Sequence, residues 1–452
     1  MNVVRKVWRE LVRPRGHATH RFYRVGRSSR SGVALLMVMT TLLLMTILSA
    51  DIQFGAAVRL RMSSHQRDEV KAEALAQSGM QMYQLILVAS KMLGKNPMIQ
   101  QYASAFGING DSLWQMVPFI NTGMMRMLLV SGGNPDDLQG EGGAPVDVTS
   151  VTGAGNLTEE QRAESRDGGS KREANFLDFD GDFFVEVTDE DSRINITRLK
   201  ATTLAELDED PTAQRLMSLM SGRENCAAVR ASITLDGQLS SAPLDASTEN
   251  DNDQFFYDRD LERRELIGNL ADWVDTDDRR IWQGGQEDAL YESLDDPYRS
   301  KNAPFDSMEE VRLVAGWQDD DVWERFADRL TVYGGGKVNV NSAECEVVWA
   351  LLKTYLVPND DFTVGNAMRA IETHKAMGGT FGSAAAFTQV LTNPANPFRV
   401  EVSPQLQQAI TTESQVFRIH SVGEVGDARV TLDAVIDFSR SQTGKIVYWR
   451  MQ

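Results

Sequence analysis

The chain has 452 residues, 42% of them hydrophobic, and a formal net charge of -18. That is apolar material for one large core or several small ones. The acidity suits cation binding and repels nucleic acid, which excludes a phosphate-tracking role.

The first element is a basic leader. Arg5, Lys6, Arg9, Arg13, Arg15, Arg21, Arg24, Arg27 and Arg30 stand there against one acid, Glu10. Val33 to Ala50 then carries no charge. At ~1.5 Å rise per residue this run spans roughly 27 Å of helix, close to the hydrocarbon thickness of a bilayer. The expectation is one membrane crossing, with the leader in the cytoplasm by the positive-inside bias and everything after Ala50 on the other side. Without the leader, 37 basic and 63 acidic residues remain, a net -26. An ordinary secretory signal with a weak cleavage site at Leu48-Ser49-Ala50 is the competing reading, for which the leader is long.

Beyond the apolar run there is no proline before Pro97, and Leu75, Gly79, Met82, Ile86, Ala89 and Leu93 recur at steps of four and three. One helix is predicted over 33–95, its first half in lipid and its second half laying an apolar stripe on a folded domain. A break near Gly55 is the alternative. Gly94 and Pro97 supply the stop. Residues 96–130 form a connecting segment with a helix around Met124 to Val130. Residues 131–175, rich in Gly, Asp, Glu and Ser, read as a mobile insertion that cannot bury enough surface to order itself.

Phe183 to Val187 and Arg193 to Ile196 read as a hairpin turning at Asp189-Glu190-Asp191. Val416 to His420, Ala428 to Phe438 and Lys445 to Arg450 read as further strands, with turns at Gly423 to Gly426 and Gln442 to Gly444. The β-sheet is therefore expected from 176–199 and 414–452. Helices are expected between them at Thr212 to Met220, Leu261 to Asp275, Met308 to Val314, Ala343 to Tyr355, Val364 to Met377, Ala384 to Leu391 and Pro404 to Thr411. Ser307 and Glu310 have capping-box spacing. Cys226 and Cys345 permit a disulfide outside the cytoplasm, but their separation and helix-like surroundings weigh against one.

The densest local pattern runs from Leu270 to Val311. Asp275, Asp277, Glu287 and Asp288 come from a helix end and the loop after it. They are hard oxygen donors on flexible backbone, which is what calcium needs for its six to eight ligands. Asp278 and Asn302 are further candidates, and a solvated acidic loop is the alternative. Asp178 to Asp182 has a misplaced glycine for a calcium loop and reads as a turn. Gly334-Gly335-Gly336-Lys337 lacks the Ser or Thr and the spacing of a phosphate loop. Val338 to Leu352 has helix-hairpin-helix features, but Glu344 and Glu346 would repel phosphate. The five histidines form no ligand pair at helical spacing, and no nucleophile motif is present, so no enzyme is read here.

Two of these patterns carry a family resemblance. Gly32, with basic residues ahead and Val33-Ala34-Leu35-Leu36-Met37 behind, resembles the processing site of type IV prepilins and type II secretion pseudopilins. The resemblance implies cleavage between Gly32 and Val33 by a prepilin peptidase, with the helix retained. The family's usual fifth mature residue is glutamate, and here it is Met37. An unpaired carboxylate is costly in hydrocarbon, and a subunit at a fibre end has no neighbouring amino terminus to satisfy it. The stretch from Asp272-Trp273-Val274-Asp275-Thr276-Asp277 to Asn302-Ala303-Pro304-Phe305-Asp306-Ser307, with Val338 to Ala343, looks like the helical part of K-type minor pseudopilins.

That resemblance implies an α+β pseudopilin fold, in which a long transmembrane and amphipathic helix packs on an antiparallel sheet. It also implies an all-α insertion of two sterile-alpha-motif-like domains, 200–333 and 334–413, and a bound calcium. The implied place is the tip of a periplasmic pseudopilus, single-pass in the inner membrane with the C-terminal domain periplasmic. The implied partners are the I-type and J-type minor pseudopilins, the major pseudopilin fibre, the inner-membrane assembly platform and secreted cargo, with no nucleic acid. A type IV pilus minor pilin, or a membrane-anchored metal-dependent binding module or hydrolase, would share several of these features.

Overall fold

A computed structural model describes residues 31–94, 114–115, 117–125, 181–221, 226, 260–394 and 399–452. The leader up to residue 30, the 131–175 insertion and the segment Asp178 to Asp180 lie outside these residues. The chain divides into two compact units, one up to Gln66 and one from Arg67 to Gln452.

In the first unit the only described element is the beginning of helix α1, Ser31–Gly94, which runs unbroken through Gly55. Its apolar 18-residue window has a mean hydropathy of 2.3 and no buried residue. By length and composition it is the one helix among the described residues able to cross a membrane. Met37 stands 65% exposed in this stretch.

In the second unit α1 continues as the lid of a sheet. Ala72, Ala76, Met80, Tyr83 and Leu87 are its buried line, recurring every three or four residues. This line lies one residue along from the predicted stripe. Leu75, Met82 and Ile86 flank it, partly buried, and Ala89 is exposed. The shift follows from backbone proximity. A Cβ at Gly423 would stand 2.0 Å from the Ala72 carbonyl oxygen, and one at Gly79 would stand 2.6 Å from Val185. Only small residues on the helix admit so close an approach, so Ala72, Ala76 and Gly79 face the sheet where larger residues would not fit.

The sheet has five antiparallel strands in spatial order β1 (Phe119–Asn121), β2 (Asp182–Asp189), β3 (Val416–Val425), β4 (Ala428–Asp437) and β5 (Lys445–Met451). Alternation in β2 turns Phe183, Val185 and Val187 toward α1. The predicted turn at Gly423 to Gly426 is shorter than expected. Val425 pairs with Ala428, leaving Gly426 and Asp427 as a two-residue loop, and Gly423 belongs to the strand. β1 is an edge strand in what the sequence offers as a connecting segment.

β2 and β3 are neighbours in the sheet, yet residues 190–415 intervene between them. The expected hairpin of Phe183 to Val187 with Arg193 to Ile196 does not form. β2 pairs with β3, and Ile194–Asn195 pairs in parallel with Leu330–Thr331. The physical reason lies in the acids at its supposed turn. Asp189 caps a 3-10 turn, Glu190–Ser192, which leads the chain out of the sheet. Asp189 Oδ2 accepts from Ser414, Ser342 and Asn339 Nδ2, Asp191 Oδ2 accepts from the Gln415 and Val416 amides, and Glu190 pairs with Arg418. Three consecutive buried acids thus fasten the departing strand to the returning one.

The intervening helices are α2 (Leu204–Glu209), α3 (Pro211–Ser221), α4 (Asp260–Val274), α5 (Asp288–Tyr291), α6 (Asp320–Phe326), α7 (Cys345–Tyr355), α8 (Asp361–Ala376), α9 (Ala384–Thr392) and α10 (Leu406–Ala409). Side-chain caps start several of them: Thr203, Asp319, Asp360 and Ser383 each accept a backbone N–H. The Ser307–Glu310 capping box does not form. Residues Glu309–Leu313 are 3-10, and Glu310 instead accepts from the Asp306 amide, Trp273 Nε1 and Lys301 Nζ. Gly334 and Gly336 take positive φ in a loop ahead of Val338–Asn339, where they pass close to Asp191 and Arg198.

Buried residues from 200–333 and from 334–413 belong to one hydrophobic cluster that includes Leu216, Trp317, Trp349 and Phe387. Cys226 and Cys345, which the sequence weighed against pairing, are bonded across it with Cα atoms 5.9 Å apart. Sequence distance was a poor guide because α3, which leads toward Cys226, packs on α7, which begins at Cys345.

Candidate metal centre

α4 ends in the sequence Leu270-Ala271-Asp272-Trp273-Val274. Leu270, Ala271 and Trp273 are buried in the core, and Asp272 goes in with them at 3% exposure. Asp275 follows one turn on, so the two carboxylates project from the same side of the helix end. A loop then brings Glu287 back beside them. It turns through Gln283, Gly284 and Gly285, all at positive φ, and is tied by the Arg279–Gln286 bridge and the Glu287 amide on the Asp278 carbonyl.

One carboxylate oxygen each from Asp272, Asp275 and Glu287 lie within 4.8 Å of one another. Their hydrogen bonding is incomplete. Asp272 Oδ1 accepts the Ile281 amide and Asp275 Oδ1 that of Asp277, but Asp272 Oδ2, Asp275 Oδ2 and both oxygens of Glu287 are buried without a hydrogen-bond partner. Burial, then repulsion within the group, pushes Glu287 up to about 8. Burial also raises Asp272 to about 7 and Asp275 to about 6. Asn302, at φ 49°, donates Nδ2 to the Asp277 carbonyl and to Asp278, and its Oδ1 is left without a partner.

Burying carboxyl oxygens short of donors is costly, and Arg280 near Asp272 and Ser300 near Glu287 offset that cost only in part. A hard cation supplies the missing partner, and carboxylate and amide oxygens are its ligands. The residues present therefore fit calcium: Asp272, Asp275 and Glu287 would hold it, with Asn302 Oδ1 free to contribute. The rear wall is aromatic, Trp273 edge-on to Tyr291 and Tyr291 stacked on Tyr298, so the loop rests on a rigid support.

Of the four ligands expected from sequence, the structure brings Asp275 and Glu287 together and leaves the other two outside the group. Asp277 Oδ1 caps the Arg279 amide. Asp288 accepts from the Ser300 amide and hydroxyl. Asp272 was missed because it reads as part of an apolar helical run. Its spacing of three from Asp275 was the available signal.

Residues 254–335, which contain this whole cluster, match the family of type II secretion system (T2SS) protein K. Type II secretion system protein K of Aeromonas hydrophila is 28% identical over 193 residues, 42% of this chain and 54% of the relative. That of Klebsiella pneumoniae is 30% identical over 135 residues, 30% of this chain and 39% of the relative. The chain thus spans about half the length of the first of these and less of the second. Among solved structures, the GspK-GspI-GspJ complex from the enterotoxigenic Escherichia coli type 2 secretion system aligns at 15% identity and a TM-score of 0.41, covering 60% of this chain and 80% of that one.

Proposed function

We propose that this chain is a type II secretion protein K, a minor pseudopilin at the tip of a periplasmic pseudopilus. There it nucleates assembly with I-type and J-type minor pseudopilins for export of folded proteins. The observation that carries the reading is the family match at 254–335, set within a helical region inserted between adjacent strands of the sheet that α1 covers. Membrane anchorage rests on the apolar beginning of α1. Inner-membrane insertion with the leader cytoplasmic, cleavage between Gly32 and Val33 by a prepilin peptidase, and contact with the major fibre and the assembly platform all follow from the same reading.

Two features favour the tip. Met37 offers no carboxylate to a neighbouring amino terminus, and the helical insertion would obstruct a subunit stacked above it. In this reading the insertion comprises two sterile-alpha-motif-like halves, and calcium at Asp272, Asp275 and Glu287 is a structural ion that fixes the α4–α5 loop.

The test is deletion of the gene and complementation with the full chain, scored as secreted protein in the medium and as I-type and J-type subunits recovered with the tagged chain. Lost secretion restored on complementation, with both subunits recovered, is expected. Intact secretion in the deletion strain would reject the proposal.

A further inference from the structure

The two edges of the sheet differ. Among the described residues β1 is an edge of three residues and β5 an edge of seven. A very short edge is self-protecting, whereas a long one offers a row of unpaired backbone groups. On β5, Ile446, Val447 and Trp449 are 41–42% exposed. Thr431 and Gln452 exchange both N–H···O bonds. By the two-residue alternation of an antiparallel ladder, Trp449 and Met451, opposite Ala434 and Leu432, turn their N–H and C=O groups away from β4. Apolar side chains and outward amides therefore coincide at Trp449.

Charge narrows the occupant. From Phe438 to Gln452 there are Arg440, Lys445 and Arg450 and no acid, in a chain of net charge -18. Arg450 reaches Glu309 at 3.7 Å, whereas Arg440 and Lys445 are exposed, Lys445 standing opposite Asp437 on β4. A second copy adding β5 to β5 in parallel would set Lys445 against Lys445, which cross-strand pairing disfavours, and in either direction it brings to the shared edge a strand with basic residues and no acid. An acidic partner strand would meet them favourably.

We infer that the β5 edge is where another pseudopilin subunit adds an extended strand flanked by acidic side chains, lengthening the sheet across the subunit boundary. This rests on the proposed function, since it requires partner subunits in the pseudopilus tip.

The experiment uses the full chain co-expressed with the I-type and J-type subunits of its own system and extracted in detergent. Amide exchange at Trp449 and Met451 should slow at least tenfold in the complex relative to the chain alone. Trp449→Pro removes an outward N–H and no bond to β4. It should cut recovery of the complex at least tenfold at an unchanged melting temperature. If Trp449→Pro lowers that temperature, the exchange measurement on the unsubstituted chain decides. A complex that forms while Trp449 and Met451 exchange as fast as before overturns the edge assignment and leaves the proposed function standing. Failure of the unsubstituted chain to form any complex overturns both. Slowed exchange in the chain alone, growing with its concentration, would assign the edge to a second copy and overturn the partner.

Discussion

Ser421 Oγ donates a 2.7 Å hydrogen bond to the carbonyl of Ala76, inside α1. Ser421 is fully buried, and two residues further along its strand Gly423 lies against Ala72. Helix and sheet therefore meet backbone to strand, with no side-chain layer between them at this point. Gly423→Val should destabilise the folded unit by about 1–3 kcal/mol or prevent folding, because the added atoms have no free volume. Gly55→Ala, where nothing lies within 4 Å, should cause no loss. Thermal unfolding of the detergent-extracted variants checks both.

The buried acids at the end of β2 predict a pH dependence of opposite sign to an ordinary salt bridge. Burial, with repulsion from Asp189 and to a smaller extent Asp437, raises Asp191 to about 7, against hydrogen bonds from the Gln415 and Val416 amides that favour its charged form. A raised folded-state value means that the folded protein takes up the proton first. The stabilising contribution is full below the ordinary carboxylate range and is lost as pH rises through about 7. Asp191→Asn keeps an oxygen for both amides. It should raise stability at pH 8 relative to the parent and leave a smaller difference at pH 5. Denaturant titrations at the two pH values measure it, and an equal effect at both would argue that Asp191 is charged throughout.

Calcium should raise the unfolding temperature and chelation should lower it. A ligand bound only by the folded state adds RT ln(1 + [L]/Kd), about 2.7 kcal/mol at a hundredfold excess over Kd. Asp272→Asn with Glu287→Gln should abolish the gain while stabilising the metal-free protein, since the cost of burying these carboxyls, whether charged or held protonated by their raised values, is removed. Asp277→Asn or Asp288→Asn alone should leave most of the response. A response surviving Asp272→Asn with Glu287→Gln would place the ion elsewhere.

The Cys226–Cys345 bond closes a loop with a sequence separation of 119. Loops of this length gain most from cross-linking, and Cys345→Ala should cost about 2–5 kcal/mol. Parent protein unfolded under reducing conditions should lose a similar amount. No difference between reduced and oxidised parent would count against the bond.

Local pattern made part of this molecule legible. The uncharged run from Val33, the four-and-three spacing toward Leu93 and the strands at the C-terminus are signals contained in a few consecutive residues. The carboxylate cluster was half legible, because Asp275 and Glu287 stand in a visibly acidic loop whereas Asp272 sits among Leu270, Ala271 and Trp273 as an apolar helix would. What was missed depends on contacts between distant segments. Asp189, Glu190 and Asp191 look like a turn but bind residues 414–418, and Cys345 meets Cys226 only once α3 lies on α7. The stripe on α1 was displaced by one residue because Gly423, far along the chain, sets how near the helix can come.

The most direct test of the central claim is the amino-terminal sequence of the protein extracted from membranes. The proposed cleavage lies between Gly32 and Val33 and keeps the helix, so the chain should begin Val33-Ala34-Leu35-Leu36-Met37, and Gly32→Leu should leave it unprocessed. A chain that begins at Met1, or at Asp51 after loss of the whole apolar run, would contradict the account.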